Sequence, residues 1–147
     1  MKETVFLKKL DPRAKIPTYG TPLSAGADLY LLADAPVTLG AGETKLLRTG
    51  IAVGIPEGYV GLVFARSGLA SKRGLAPANK VGVIDADYRG EIMVALHNHG
   101  AEPQTLDVGE RIAQLAILPF LTAAFTETAE LDETARGDGG FGSTGRK

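Results

Sequence analysis

The sequence has no cysteine, no long apolar run and no excess of charge of either sign. Without cysteine, the chain has no disulfide, no cysteine-ligated zinc and no thiol nucleophile. Its longest apolar stretch, residues 115–121, contains Pro119 and is far too short to span a bilayer. No apolar signal region follows Met1. We therefore expect a soluble cytoplasmic protein without a membrane partner.

The charge balance limits the kinds of partner. A net charge of -1 argues against DNA or RNA binding through a basic surface, because such binding depends on neutralising many phosphates. A small anionic ligand is compatible with this charge, since a few arginines and backbone N–H groups suffice to hold it. The chain is 44% hydrophobic and 22% charged, which predicts one packed domain rather than disorder.

Glycine is the abundant residue, and it predicts the fold class. With 19 glycines, eight prolines and few aromatic residues, short strands joined by tight turns are expected. Strands of this length and spacing favour an all-β fold: an antiparallel sandwich, jelly roll or barrel. The predicted strand segments are residues 4–10, 27–32, 37–39, 43–55, 59–65, 81–84, 91–96, 104–107 and 111–118, of which the run 43–55 is broken by Gly50 and Gly54.

One short helix is predicted between two strands. Ser67 is a good N-cap residue, residues 68–73 are compatible with a helix, and Gly74 suits the position just after its end. The strand that ends at Ala65 therefore runs directly into this helix.

Two segments carry side chains suited to phosphate chemistry. Arg66, Ser67 and Gly68 lie where strand meets helix, and the free N–H groups of a helix start favour an anion. Asp85 follows an apolar strand, so its carboxylate is a candidate general base toward water. Asp87 would point the same way in an extended segment, as in a cation site. The alternatives are an ordinary helix cap with a surface arginine and a polar turn, and these residues by themselves leave both open.

The C-terminal segment differs in composition from the rest. Residues 136–147 contain five glycines and one large apolar side chain, Phe141, and cannot form a core. A disordered terminus is one interpretation. An arm that orders over a ligand is the other, and Phe141 favours it because a solubilising tail needs no aromatic ring. Residues 1–134 are thus expected to form the β domain, and residues 135–147 a mobile arm that closes over the active site.

A His-x-His pair is the remaining candidate for a site. On a strand, His97 and His99 would face one side, as zinc ligands do. No third ligand is evident nearby, so a structural or surface role is favoured over a metal site.

These segments together resemble the trimeric dUTPase family, whose members carry five short motifs in fixed order. Any one motif is a weak signal, but here all five occur in order over nearly the whole chain. The resemblance implies hydrolysis of dUTP to dUMP and pyrophosphate, which supplies the dTTP precursor and limits uracil incorporation into DNA. The matching segments are residues 25–29, 66–70, 79–91, 109–115 and 136–145.

The resemblance also implies roles for individual residues. Asp85 would activate the water that attacks the α-phosphorus, and Tyr88 would pack on the deoxyribose and exclude a 2′-hydroxyl. The cofactor Mg²⁺ would bind mainly to the triphosphate, with Asp28 contacting it through water. Asn79, Gly82, Val83, Ile84 and Met93 would bind uracil, Arg66, Ser67, Gly68 and Gln114 the phosphates, and the arm would place Phe141 over the base and Arg136, Ser143 and Thr144 near the β- and γ-phosphates.

The family further implies a homotrimer of jelly-roll-like subunits, with active sites between subunits and an arm that crosses to a neighbour. Three alternatives remain. A dCTP deaminase of the same superfamily should be longer and lack the full fifth motif. A dUTPase-like nucleotide-dependent regulator could lose Asp85 or the arm, and an inactive structural jelly roll would need neither. Both features are present, which favours catalysis.

Overall fold

A computed structural model describes residues 4–140, and over this range the chain forms twelve strands and one short helix. The predicted all-β class with a single helix is confirmed. The strands are β1 (Phe6–Lys9), β2 (Thr18–Tyr19), β3 (Ala27–Tyr30), β4 (Val37–Leu39), β5 (Thr44–Arg48), β6 (Ile51–Gly54), β7 (Tyr59–Phe64), β8 (Leu75–Pro77), β9 (Gly82–Ile84), β10 (Met93–Asn98), β11 (Gln104–Leu106) and β12 (Arg111–Pro119), and the helix is α1 (Ser67–Arg73).

The strands pair antiparallel in four groups around one core. A five-stranded sheet has the order β2-β3-β12-β7-β9, a three-stranded sheet the order β5-β10-β8, and β1-β6 and β4-β11 form pairs. Side chains alternate between the faces of a strand, and β10 accordingly buries every second residue. Leu29, Leu96 and Ile112 are fully buried in the shared core. The arrangement is consistent with the predicted jelly roll.

The β-rich run predicted for residues 43–55 forms two strands, and the predicted break at Gly50 is confirmed, whereas Gly54 is the last residue of β6. Gly50 interrupts it with a φ of 72°, in the left-handed region that favours glycine. A Cβ there would also lie 2.5 Å from Leu32 Cδ2. The short strands β2 and β8 were not predicted, because two or three residues carry too little alternation to be recognised.

The helix begins one residue earlier than predicted. Ser67 is its first helical residue, and Arg66 occupies the N-cap position without a side-chain cap. The N-cap prediction was wrong because the extended backbone of β7 continues through Arg66 (φ -87°, ψ 128°) before the chain turns. Gly74 has φ 65° and its N–H bonds to Ala70 O, which confirms its predicted place. Within residues 4–140, no helix has the length and apolar character needed to cross a membrane.

Candidate functional site

The five-stranded sheet brings three predicted site residues together at one end. Asp28 of β3 lies opposite Gln114 of β12, which lies opposite Phe64 of β7. Arg66 follows Phe64 by two residues. Because neighbouring strands are about 4.8 Å apart, the side chains of Asp28, Gln114 and Arg66 converge at this end of the sheet.

Asp28 binds two arginines. Arg66 Nε donates to Asp28 Oδ1 over 2.7 Å, and Arg111 Nη1 donates to Oδ2 over 3.2 Å. Asp28 is only 8% exposed, so the ion pairs are poorly screened. Since Arg66 uses Nε, both of its Nη groups remain without a hydrogen bond among residues 4–140. Sequence reasoning missed Arg111, and the only available signal was its place inside the segment 109–115.

Gln114 connects this end of the sheet to the helix entry. Its Nε2 donates to the carbonyl oxygen of Ala65 over 2.8 Å. A Cβ on Gly26 would lie 2.2 Å from Gln114 Oε1, so the absence of a side chain at Gly26 makes room for the amide. Ser67 and Gly68 are exposed at the start of α1 and directly follow Arg66 in the chain.

A second group of predicted residues surrounds the turn that leads from β8 to β9. Asn79 is exposed in this turn, which is bonded to β10 over 2.7 Å from Ala78 N to Ala95 O. A Cβ on Gly82 would lie 3.4 Å from Asn79 Nδ2, so the amide lies directly over this glycine. Two other predicted uracil residues lie on β9, where Val83 is 61% exposed and Ile84 packs against the core. Met93, at the start of β10, is 36% exposed.

The turn after β9 carries the predicted base. Asp85 is exposed, and its carbonyl oxygen accepts a hydrogen bond from Tyr88 N over 3.1 Å. The chain therefore turns between Asp85 and Tyr88, and the extended segment that would align Asp87 with Asp85 is absent. Arg89 Nη1 donates to Ala86 O over 2.6 Å and fixes the turn from outside.

Asp85 and Arg66 lie at opposite ends of a strand pair. β9 runs antiparallel to β7, with Ile84 opposite Gly61. Asp85 therefore leaves the sheet near the beginning of β7, whereas Arg66 follows its end. At about 3.3 Å per residue, the two positions are roughly 20 Å apart along the strand. A single chain does not bring the predicted base to the predicted phosphate-binding arginine.

The histidine pair is close-packed. The ring centroids of His97 and His99 are 4.4 Å apart, and His97 Nδ1 lies 2.7 Å from Thr44 Oγ1. Burial lowers the pKa of His99, and the positive charges of His97 and Lys80 lower it further. Within residues 4–140, no three His, Asp or Glu side chains are grouped so that they could hold a metal ion.

The predicted arm is described only in part. Arg136 is exposed, and its Nε donates to Gly139 O over 2.8 Å within a turn. Phe141, Ser143 and Thr144 lie outside the described residues, so their predicted roles stay predictions.

Comparison with known proteins identifies one family. A family model described as dUTPase matches residues 12–145. The deoxyuridine 5'-triphosphate nucleotidohydrolase of Desulfitobacterium hafniense is 50% identical over 146 residues, which cover 99% of this chain and 97% of that protein. The enzyme of the same name from Aeromonas salmonicida is 45% identical over 152 residues and is covered completely, as is this chain.

Solved structures agree in fold. A dUTPase of Staphylococcus bacteriophage 80alpha with dUpNHpp superposes with a TM-score of 0.90 at 30% identity, covering 98% of this chain and 99% of that one. A dUTPase mutant from phage phi11 of S. aureus, described with a structural Mg(II) ion, gives 0.78 at 28% identity, with 87% and 98% covered.

Proposed function

The chain belongs to the dUTPase family and hydrolyses dUTP to dUMP and pyrophosphate, and on this premise we propose that three copies assemble its active sites, with Asp85 of one copy facing Arg66 of another. The observation that carries the proposal is the separation of roughly 20 Å between these residues along β7 and β9. A closed three-fold ring repeats one interface three times. It therefore forms three complete sites from residues that a single chain keeps apart.

The segment after β12 supports an exchange between copies. Residues 121–138 are all exposed, and Leu121, Phe125 and Leu131 are 89%, 97% and 85% exposed. Large apolar side chains that are exposed in this way are typical of a protein–protein interface. A groove of about 840 Å³ on the body offers an apolar surface for a neighbour's segment, and its lining includes Val5, Tyr19, Pro56, Tyr59 and Ile117. This exchange would bring Arg136, Phe141, Ser143 and Thr144 to the site of another copy.

In the proposed reaction, the exposed Asp85 carboxylate accepts a proton from water as the water oxygen attacks the α-phosphorus. The bond from the α-phosphorus to its bridging oxygen breaks, and pyrophosphate leaves with that oxygen. Arg66, through its free Nη groups, stabilises the charge that develops on the phosphates, with Ser67, Gly68 and Gln114 beside it.

The base and sugar are bound by the other group of residues. Uracil lies against Asn79, Gly82, Val83, Ile84 and Met93, and Tyr88 packs on the deoxyribose. A close wall at the sugar rejects the 2′-hydroxyl of UTP, since a buried hydroxyl without a partner is costly.

The residues present fit a Mg²⁺ ion that is held mainly by the substrate. Both Asp28 oxygens already accept from guanidinium groups, at 2.7 and 3.2 Å, so Asp28 is suited to a contact through water rather than to direct ligation. When bound to the triphosphate, Mg²⁺ would supply neutralising charge, and it usually keeps several of its waters.

Mixed trimers test the assignment of Asp85 and Arg66 to different copies. Asp85→Asn and Arg66→Ala chains, each inactive alone, are unfolded, mixed in equal amounts and refolded. Random assembly then restores about a quarter of the sites, because each mixed trimer joins one intact Asp85 to one intact Arg66. Activity that stays at the level of the single variants would place both residues in one chain's site and overturn the proposal.

The arm is tested separately by truncation after Thr134. Pyrophosphate release is measured with Mg²⁺ from dUTP, dCTP, dTTP and UTP. We expect rapid release from dUTP alone and a large loss on truncation, with the trimer intact by size-exclusion chromatography. Full activity of the truncated trimer would remove the arm from the mechanism.

A further inference from the structure

We propose that Gly90 is a specificity-determining residue, because the ring of Tyr88 lies directly against its Cα and only glycine leaves room for it there. The inference rests on the proposed role of Tyr88 as the wall that selects deoxyribose. Gly90 itself contacts no substrate, and it acts on the choice of sugar through the position of the Tyr88 ring.

The ring of Tyr88 occupies the space at Gly90. A Cβ at position 90 would lie 2.4 Å from Tyr88 Oη, 2.6 Å from Cζ and 3.0 Å from Cε2. These three closest atoms all belong to one phenol. Ordinary contacts of a Cβ begin near 3.4 Å, so even a methyl group must displace the ring.

The backbone at Gly90 does not itself require glycine. Its φ lies outside the left-handed region, in contrast to Gly42, Gly50, Gly58 and Gly74. A φ outside this region does not by itself require glycine. The ring of Tyr88 is therefore the constraint that favours glycine at this position.

The ring has little freedom to move away. Tyr88 Oη donates to the carbonyl oxygen of Glu91 over 2.9 Å. Glu91 is anchored in turn, because its carboxylate accepts from Gly50 N over 2.7 Å and from Arg48 Nε over 3.1 Å. At its other end, Tyr88 N is bonded to Asp85 O. A methyl group at position 90 breaks the phenol anchor and pushes the ring off its seat.

The displacement affects the sugar more than the chemistry. Asp85 precedes the turn, and its backbone bond to Tyr88 does not involve the ring. We therefore expect Gly90→Ala to change the ratio of kcat/KM for dUTP to kcat/KM for UTP more than it changes kcat for dUTP. The loss of one close contact typically changes the ratio of the two kcat/KM values by roughly tenfold or more.

The test is a double-mutant cycle on the full-length enzyme. Gly90→Ala is made in the wild type and in Tyr88→Ala, with Gly40→Ala as the control, since a Cβ at Gly40 meets only Glu43 Oε2 at 3.5 Å. In the wild type, Gly90→Ala should lower the ratio about tenfold. In Tyr88→Ala it should have no further effect, because the ring is gone.

The measured ratios distinguish the role of Gly90 from the role of Tyr88. An unchanged ratio in Gly90→Ala, or an equal fall in both backgrounds, overturns the role of Gly90. An unchanged ratio in Tyr88→Ala overturns instead the proposed role of Tyr88. If Gly90→Ala alone does not fold, the double variant with Tyr88→Ala decides, since it removes the ring that a Cβ at position 90 would meet. Folding restored in the double variant supports the inference, and a double variant that also fails to fold overturns it.

Discussion

The two ends of β7 hold their functional residues in opposite ways. At the end that leads to Arg66, charged side chains bind one another: buried Asp28 lies between two arginines, and Gln114 fixes the helix entry. At the other end, backbone bonds hold the turn that follows Asp85 and leave the carboxylate exposed. At one end other side chains bind the functional side chain itself, whereas at the other the bonds are made to the backbone of the turn, including the bond from Arg89 Nη1 to Ala86 O, and the functional carboxylate stays exposed.

The contrast follows from the chemistry of each group. An arginine that awaits a phosphate must be held by a counter-charge at Nε while its Nη groups stay available. A general base, by contrast, must reach water and needs no permanent partner. Substitutions at the two ends should therefore separate stability from catalysis.

The largest effect is expected at the exposed end, from Asp85→Asn. The amide cannot accept the proton of the attacking water, so kcat for dUTP should fall by about 10³-fold or more. Because the side chain is exposed, the urea midpoint of unfolding should stay close to the wild-type value. Rapid-quench and urea titrations of one preparation measure both. A variant with normal kcat would show that Asp85 is not the base.

Asp28→Ala should, in contrast to Asp85→Asn, lower the stability of the fold. It leaves Arg66 and Arg111, whose side chains are 26% and 50% exposed, without a counter-charge, and we expect a loss of about 2 kcal/mol of unfolding free energy, between the values for exposed and buried pairs. KM for dUTP should rise with it, because Arg66 loses its orientation. Arg111→Gln added to Asp28→Ala removes one stranded cation and should recover part of the stability. No recovery would mean that the two arginines do not share Asp28 in solution.

The two crowded glycines provide a finer comparison. Gly26 makes room for Gln114 as Gly90 does for Tyr88. Gly26→Ala should displace the Gln114 amide, reduce stability by about 1–2 kcal/mol and raise KM for dUTP several-fold, while the dUTP to UTP ratio stays unchanged. Gly40→Ala again serves as control. A fall in the ratio with Gly26→Ala would show that the two ends are coupled.

Sequence reasoning reached the fold class, most strands, Gly74 and the side chains that meet at each end. It misplaced the N-cap at Ser67, because propensity cannot show that an extended strand continues through Arg66. It left open whether the segment from Asp85 to Asp87 was extended or a polar turn, and the structure shows a turn. The roles of Arg111 and Gly90 could not be predicted. For Gly90 the reason is that a sequence does not distinguish a glycine required for space from a glycine required for a turn.

The smallest effect is expected at the ion pair between Asp11 and Arg13, in which Arg13 is 56% exposed, and this pair serves as a reference for Asp28 and its two arginines. Hydrogen bonds from the side chain and backbone of Arg13 lower the pKa of Asp11 to about 2. Since the folded pKa lies below the ordinary value, this ionised carboxyl stabilises the fold above about pH 4, and the contribution is lost as pH falls toward 2. Asp11→Asn should therefore lower the urea midpoint slightly at neutral pH, and the difference should disappear near pH 2. Addition of 0.5 M salt, which shortens the screening length to roughly 4 Å, should shrink it further. A difference in the urea midpoint that persists at pH 2 would trace the effect of Asp11→Asn to packing rather than to charge.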